Sequence, residues 1–193
     1  HVDAGRVAAI GFSAGGHLAA NLTTVSSDAE LRDAGYDPAA VRPDALLLCY
    51  PVITSGRFAH RGSFDNLLGD GKDDASLLEL LSIEKHVDAT MPPVFIWHTI
   101  TDQAVPVENS LLMIQACRDA GVSIEAHLFP QGGHGLSLAT VDTARAGSPG
   151  EGDLNKLAAT THHEGVVADV LRAEPQPLAA WLAALPDGPV LAL

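Results

Sequence analysis

Four short apolar runs alternate along the chain with segments in which hydrophobic residues recur at helical spacing. Three runs are nearly continuous in Val, Ile, Leu and Ala, which is typical of parallel strands buried on both faces, and the fourth alternates as an edge strand does. The predicted strands are Arg6–Phe12, Asp44–Tyr50, Val94–His98 and Ser123–Phe129. Strands that alternate with helices predict an α/β fold with a mainly parallel sheet and flanking helices.

Three helices are predicted from the intervening periodicity. They extend from Ala14 to about Ser26, from about Val107 to Ala120, and from Pro177 to Leu185. Pro106 before the second helix and Gly121 after it are typical start and stop signals.

The length of 193 residues suits one domain, residues 1–193. Within it, residues 54–88 are polar and Gly-rich, with short helical pieces such as Ala75–Leu81, and we expect an excursion between two strands near the pocket. Residues 139–165 predict a long loop, since segments of that length with little pattern are usually lids, binding loops or disordered.

The first apolar run ends in Gly11-Phe12-Ser13-Ala14-Gly15, and a helical pattern follows at once. Gly-x-Ser-x-Gly between a buried strand and a helix is typical of a sharp turn that exposes the serine as a nucleophile. We expect glycine at both flanks because a side chain there would collide with the turn or with the helix packing. The Ala14 N–H, in the first helical turn, is predicted to face a developing oxyanion, aided by the helix dipole.

A serine becomes a strong nucleophile only when a base accepts its proton and an acid orients that base. Asp102 follows the third strand by a short turn, and His134 follows the fourth strand by a Gly-rich turn. Both lie at carboxyl ends of parallel strands, the edge that carries Ser13, and the chain order is Ser, Asp, His. The predicted catalytic residues are Ser13 as nucleophile, Asp102 as acid and His134 as base. The alternative interpretations are that Asp102 caps the next helix and that His134 packs on its glycine neighbours.

The remaining histidines have weaker interpretations. His98 ends a strand close to Asp102 and lines the predicted site, but strand-end histidines are more often structural. His17 lies one turn after Ser13, and we expect it to pack against the serine turn. The run His162-His163-Glu164 resembles metal ligands, but no partner spacing supports a metal site, so a solvated loop is favoured.

Composition narrows the possible partners. The formal net charge is −13 and charged residues make up 18% of the chain, with no cluster of four Lys or Arg residues. These values argue against nucleic-acid or anionic-membrane binding and disfavour anionic polymeric substrates. The cysteines Cys49 and Cys117 are predicted to be buried free thiols. No metal or cofactor is predicted, and no membrane span or secretory signal occurs in the sequence.

Three linked motifs, in order, resemble one known family, the acetyl-esterase and feruloyl-esterase-like α/β-hydrolases, some of which are labelled acetylxylan-esterase-like or xylanase-like. The motifs are Gly11-Phe12-Ser13-Ala14-Gly15-Gly16-His17-Leu18-Ala19, Trp97-His98-Thr99-x-x-Asp102-x-x-Val105-Pro106-x-x-Asn109-Ser110, and Gly132-Gly133-His134-Gly135-Leu136. The resemblance covers most of residues 1–138. It implies an α/β-hydrolase fold, the Ser-Asp-His roles given above, and acetyl or other short acyl esters as substrates, including esters on plant-wall sugars.

The chain departs from this family pattern because Ser13 comes almost at its first residue, whereas about half of the sheet normally precedes the nucleophile. We therefore expect the C-terminal part of a longer protein, the alternative being a very small hydrolase. The missing strands would bring the second oxyanion donor and would pair with Val7–Phe12. The chain alone is then predicted to self-associate through that exposed sheet edge and to be nearly inactive.

Two other functions stay open from the sequence. A prolyl-oligopeptidase-type peptidase shares the fold and the order of the three residues, and a non-catalytic binding or assembly module would need none of them. The small residues that follow Ser13 favour the esterase over the peptidase. Neither the acyl nor the alcohol specificity is predicted, nor are the substrate-binding residues or the compartment.

Overall fold

The computed structural model describes residues 7–24, 28–138 and 190–191. Within these ranges there are five strands, β1 (Val7–Phe12), β2 (Ala45–Cys49), β3 (Val94–Thr99), β4 (Ile124–Phe129) and β5 (Val190–Leu191). They form one sheet in the order β4–β3–β2–β1–β5, and every neighbouring pair is parallel. The predicted α/β class with a parallel sheet is confirmed.

The described residues contain six α-helices: α1 (Ala14–Thr24), α2 (Asp28–Asp33), α3 (Pro38–Val41), α4 (Arg61–Leu68), α5 (Ala75–Leu80) and α6 (Glu108–Ala120). Two short 3₁₀ turns, Gly69–Gly71 and Ile83–Lys85, flank α5. The two long helices, α1 and α6, are those that the sequence predicts, within two residues at each end. The predicted helix Pro177–Leu185, the loop 139–165 and the histidines at 162 and 163 lie outside the described residues.

The centre of the sheet is apolar on both faces, as the continuous apolar runs predict. Every residue of β2 and β3 is buried. Side chains alternate between two clusters: Leu46 and Leu48 pack with Met113 of α6 on one face, while Leu47 and Phe95 belong to the cluster on the other. The strand ends are thereby fixed relative to one another.

The two cysteines lie in this core as free thiols, as predicted. Cys49 ends β2 and Cys117 lies on α6, and both are at most 2% exposed. Burial raises the pKa of each thiol to about 12.

The two flanks of the sheet differ from each other. β4 pairs only with β3 among the described residues, which agrees with its predicted edge position. On the other flank, the prediction that the edge of β1 facing away from β2 is unpaired is wrong for two residues. Val7 and Ala8 pair with Val190 and Leu191 of β5, which comes from the far end of the chain. The sequence pattern did not reveal this contact because a two-residue strand has no periodicity to detect.

Candidate active site

Ser13 occupies the turn between β1 and α1 with a φ of 53°, in the left-handed region that residues other than glycine rarely adopt. Its N–H donates to the Cys49 carbonyl at the end of β2, at 3.0 Å. Its own carbonyl accepts from three N–H groups, those of Gly16, His17 and Val52. A strained residue of this kind costs on the order of 1–3 kcal/mol and persists only when its surroundings hold it. These backbone bonds hold Ser13 at the carboxyl edge of the sheet.

The close packing of β1 on α1 explains one flanking glycine but not the other. A Cβ at Gly11 would lie 2.4 Å from the Gly15 carbonyl oxygen, a distance that real side chains do not reach. The prediction for Gly15 is wrong, because a Cβ there would meet nothing within 4 Å. Gly16 takes the role expected of Gly15, since its Cβ would lie 2.7 Å from the Pro51 side chain.

Ala14 is the first residue of α1 and is exposed. N–H groups in the first turn of a helix have no acceptor within that helix, and the positive end of the helix dipole lies there. The Ala14 N–H therefore stands next to Ser13 in the position that the sequence predicts for an oxyanion donor.

Asp102 lies in the turn between β3 and α6, and its side chain is fully buried. Its Oδ1 accepts from the N–H groups of Ala104 at 2.9 Å and Val105 at 3.0 Å. Asp102 does cap a turn, although this is the turn at residues 104–105 and not α6, which begins later at Glu108. Only one carboxylate oxygen is used in this way, so the other is left for side chains.

The second oxygen of Asp102 faces His134. The His134 Nδ1 lies 2.7 Å from Oδ2 of Asp102, and the His134 Nε2 lies 2.8 Å from Oγ of Ser13. A carboxylate only accepts hydrogen bonds, so Nδ1 carries the proton and Nε2 is free to accept from the serine hydroxyl. The structure thus brings the three predicted residues together in one chain of hydrogen bonds.

The His134 turn is supported by hydroxyl groups from distant parts of the chain. The Thr99 and Thr101 hydroxyls both donate to the Gly132 carbonyl, at 3.0 and 2.9 Å. The Tyr50 ring meets the His134 ring edge-on, with 4.9 Å between centroids, and its hydroxyl accepts from the Ser137 N–H at 2.9 Å. Tyr50 therefore restrains both the His134 imidazole and the turn that carries it.

The charge of Asp102 follows from its surroundings. Burial by itself raises the pKa of a carboxyl group, but four donors oppose it here. Hydrogen bonds from the side chains of His134 and His98 and from the N–H groups of Val105 and Ala104 hold the pKa of Asp102 well below its usual range. Asp102 is ionised at neutral pH and can stabilise a positive charge on His134.

Comparison with known proteins shows which family the chain belongs to. A family model described as BD-FAE matches residues 1–116. The chain belongs to the BD-FAE family. This membership confirms the resemblance that the three sequence motifs indicate.

In sequence, this BD-FAE chain is 38% identical over 151 residues to endo-1,4-beta-xylanase B of Butyrivibrio fibrisolvens, which covers 78% of this chain and 24% of that protein. It is 33% identical over 144 residues to the acetylxylan esterase of Xylanibacter ruminicola, which covers 72% of this chain and 28% of that protein. The chain spans about a quarter of the length of these curated relatives.

In structure, the BD-FAE chain is similar to the acetyl ester-xyloside bifunctional hydrolase of Caldicellulosiruptor lactoaceticus, with 44% sequence identity and a TM-score of 0.61. That match covers 71% of this chain and 50% of the solved one. The predicted α/β-hydrolase fold is confirmed.

Two buried polar residues of the BD-FAE chain contribute contacts near the site that the sequence did not assign. His98 is fully buried and contacts Asp102 directly. Asn109, also fully buried, accepts from the N–H groups of Ile53 and Thr54 and donates to the Phe58 carbonyl, which holds the start of segment 54–88 against α6. The spacing His98-x₃-Asp102-x₆-Asn109 was visible in the sequence, but it does not show which members touch.

His17 is buried, and its side chain contacts residues of segment 54–88. Its Nε2 donates to the Leu81 carbonyl at 2.9 Å, and its ring meets Phe64 edge-on. The side chain thereby joins α1 to segment 54–88. Burial lowers the pKa of His17, although the hydrogen bond to Leu81 and the charge of Glu84 oppose that shift.

Over the described residues, no group of three or more His, Cys, Asp or Glu side chains is arranged to hold a metal ion. None of the helices in the described ranges is both long enough and apolar enough to cross a membrane.

Proposed function

We propose that the protein is a serine carboxylic ester hydrolase that cleaves acetyl or other short acyl esters, including esters on carbohydrate. Ser13 is the nucleophile, His134 the base, Asp102 the acid that orients the base, and the Ala14 N–H an oxyanion donor. The observation that carries this proposal is the 2.8 Å contact between the His134 Nε2 and the Ser13 Oγ. That contact is within the range needed for direct proton transfer.

In the first half of the reaction, the Ser13 Oγ attacks the ester carbonyl carbon and its proton passes to the His134 Nε2. The carbonyl oxygen becomes an oxyanion, which accepts a hydrogen bond from the Ala14 N–H. The ionised Asp102 stabilises the imidazolium. The bond to the alcohol oxygen then breaks, His134 returns the proton to that oxygen, and an acyl-serine remains.

In the second half, His134 takes a proton from a water molecule that attacks the acyl-serine carbon. The second oxyanion collapses, the bond to the Ser13 Oγ breaks, and that oxygen regains the proton from His134. The products are one carboxylic acid and one alcohol, and the residues return to their starting protonation states.

Two observations support an ester of a neutral molecule as the substrate. The net charge of −13 disfavours an anionic polymer. The relatives and the solved structure described above include proteins named for acetylxylan and acetyl ester hydrolysis. An acetylated, uncharged plant-wall sugar agrees with both observations.

The test compares Ser13→Ala with Ser76→Ala, an exposed serine on α5 that serves as a matched control. Both variants are made in the complete natural protein and assayed with p-nitrophenyl acetate and with a proline-containing peptide amide. We expect ester hydrolysis in the wild type and the control, and a loss of about 10⁶-fold in kcat in Ser13→Ala. Preferential cleavage of the peptide amide would favour the peptidase, and activity that survives Ser13→Ala would refute the nucleophile.

A further inference from the structure

His98 is a second imidazole on the same carboxylate oxygen that His134 uses. It is the fifth residue of β3, its side chain is fully buried, and its Nε2 lies 3.2 Å from Oδ2 of Asp102. Its ring also reaches Val105 and Ser110, so it joins β3, the Asp102 turn and α6. A buried imidazole that contacts the acid but not the serine calls for an explanation of its own.

The hydrogen bonds of His98 fix which nitrogen carries the proton. Nε2 faces two groups that only accept, Oδ2 of Asp102 and the Val105 carbonyl at 3.0 Å, so Nε2 must be the donor. In the neutral ring, Nδ1 is then an acceptor, and the Ser110 hydroxyl at 2.8 Å donates to it. Ser110 is itself fully buried and lies in the first turn of α6. The two acceptors at Nε2 therefore set the tautomer that presents an N–H to Asp102, and the Ser110 hydroxyl holds the ring in place by donating to Nδ1.

With His98 in place, both oxygens of Asp102 have two donors each. Oδ1 accepts from two backbone N–H groups, and Oδ2 accepts from the imidazoles of His134 and His98. Without His98, Oδ2 would be held by His134 alone, the group that must change its charge during the reaction. The carboxylate could then rotate about its bond to Cβ as His134 gains and loses its proton.

We propose that His98 is a positioning residue whose Nε2–H holds Oδ2 of Asp102 in the orientation that His134 requires. This inference rests on the proposed function, in which His134 is the base. His98 makes no hydrogen bond to Ser13, and it acts only through Asp102.

Two substitutions of His98 separate the effect of its Nε2–H donor from the effect of the size of its ring. His98→Gln places an amide N–H₂ near the position of Nε2, within reach of Asp102. His98→Asn is shorter, so its amide reaches the Ser110 hydroxyl but not Asp102. Both variants bury one polar amide, and a merely structural role would penalise them similarly.

The experiment uses the complete natural protein, with folding checked by circular dichroism and thermal melting. The readouts are kcat and KM for p-nitrophenyl acetate, together with the low-field ¹H resonance of the His134 Nδ1–H in ¹⁵N-histidine-labelled protein, assigned by its loss in His134→Gln. We expect His98→Asn to lower kcat about tenfold with KM changed less than about twofold, and to shift or broaden the resonance. His98→Gln should restore kcat to within about threefold of the wild type and keep the resonance.

The proposal is overturned if His98→Asn leaves kcat and the resonance unchanged, or if His98→Gln is impaired as strongly as His98→Asn. Should His98→Asn fail to fold, Ser110→Ala replaces it, since that variant keeps His98 but removes the hydroxyl that donates to Nδ1 and holds the ring against Asp102. A moved resonance in Ser110→Ala supports the proposal, and an unchanged one overturns it. A wild type without esterase activity refutes the proposed function instead, and the resonance of the variants then decides the role of His98.

Discussion

The turn that carries Ser13 and the turn that carries His134 are built in different ways. The Ser13 turn is held by backbone groups of the neighbouring strand end and helix, and by close packing at Gly11. The His134 turn is held by side chains, the hydroxyls of Thr99, Thr101 and Tyr50 and the carboxylate of Asp102.

The difference shows why one turn has a local sequence signature and the other does not. Backbone bonds within a strand–turn–helix need only small residues at set positions, so Gly-x-Ser-x-Gly describes most of the Ser13 turn. The side chains that hold the His134 turn come from residues 31 to 87 positions away along the chain. Substitutions in the Ser13 turn should therefore disturb the backbone fold, whereas substitutions in the His134 turn should change the orientation of one imidazole.

Among the substitutions that test this comparison of the two turns, the largest effect is expected from Asp102→Asn, which acts on the His134 turn. An amide in place of the carboxylate can no longer stabilise the imidazolium or hold Nδ1 as a donor, and loss of this acid costs about 10⁴-fold in kcat in a related triad. We expect about 10³–10⁴-fold here, measured with p-nitrophenyl acetate. Asp70→Asn, an exposed acid on the first 3₁₀ turn, is the matched control and should keep full activity. Equal activity of the two variants would contradict the role of Asp102.

The paired substitutions Gly11→Ala and Gly15→Ala test the Ser13 turn. The Cβ at Gly11 would collide with backbone, so we expect a loss of roughly 1–3 kcal/mol in the free energy of unfolding. The Cβ at Gly15 points into open space on a helix, and alanine there should stabilise the protein by up to about 1 kcal/mol. Urea unfolding measures both, and equal destabilisation would show that the packing of β1 on α1 is not as described.

A smaller effect is expected from Tyr50→Phe on the His134 turn. The substitution removes the hydroxyl that accepts from the Ser137 N–H but keeps the ring against His134. We expect a loss of about 1 kcal/mol in the free energy of unfolding, with a fall in kcat of less than about tenfold. Tyr36→Phe, at a tyrosine that is 60% exposed, is the control. If Tyr36→Phe had the larger effect, the support assigned to Tyr50 would be wrong.

The smallest effect is a pH dependence of the free energy of unfolding. It arises from His17, which lies in α1 just after the Ser13 turn. Burial lowers the pKa of His17 in the folded protein, so the unfolded chain binds the proton more readily. Neutral His17 therefore contributes to the free energy of unfolding above the ordinary imidazole pKa of about 6.5, and this contribution is lost as pH falls below that value. His17→Gln keeps a donor for the Leu81 carbonyl but does not titrate. Between pH 6.5 and 5, the free energy of unfolding of the wild type should fall more steeply with decreasing pH than that of the variant, as measured by urea unfolding. Parallel pH curves would contradict this assignment.

The four long strands could be predicted because burial on both faces leaves continuous apolar runs, and the strand ends then indicate which loop residues share an edge. That reasoning brought Ser13, Asp102 and His134 to one edge from sequence alone. It missed α2 and α3, which are short and carry no long apolar stripe, and it missed the pairing of β1 with β5 at the far end of the chain.

Contacts made by side chains inside the site were harder to foresee. His98 belongs to a continuous apolar strand and to a motif, and neither fact shows that its Nε2 points at Asp102 rather than into the core. The assignment of Gly15 failed for the opposite reason, since the motif suggested crowding where the helix has open space. Spacing along the chain shows which residues come near one another. The direction of a hydrogen-bond donor and the free space around a Cβ follow only from the three-dimensional structure.

The buried state of the two cysteines has a practical consequence for spectroscopy. With thiol pKa values of about 12, Cys49 and Cys117 carry almost no thiolate at neutral pH, and neither sulfur is accessible to a reagent in the folded protein. A single cysteine introduced at an exposed position, such as Leu67 on α4, would then be the one reactive thiol among the described residues. A fluorophore or spin label could be attached there without first removing the native cysteines, and motion of segment 54–88 could be followed as a substrate analogue binds.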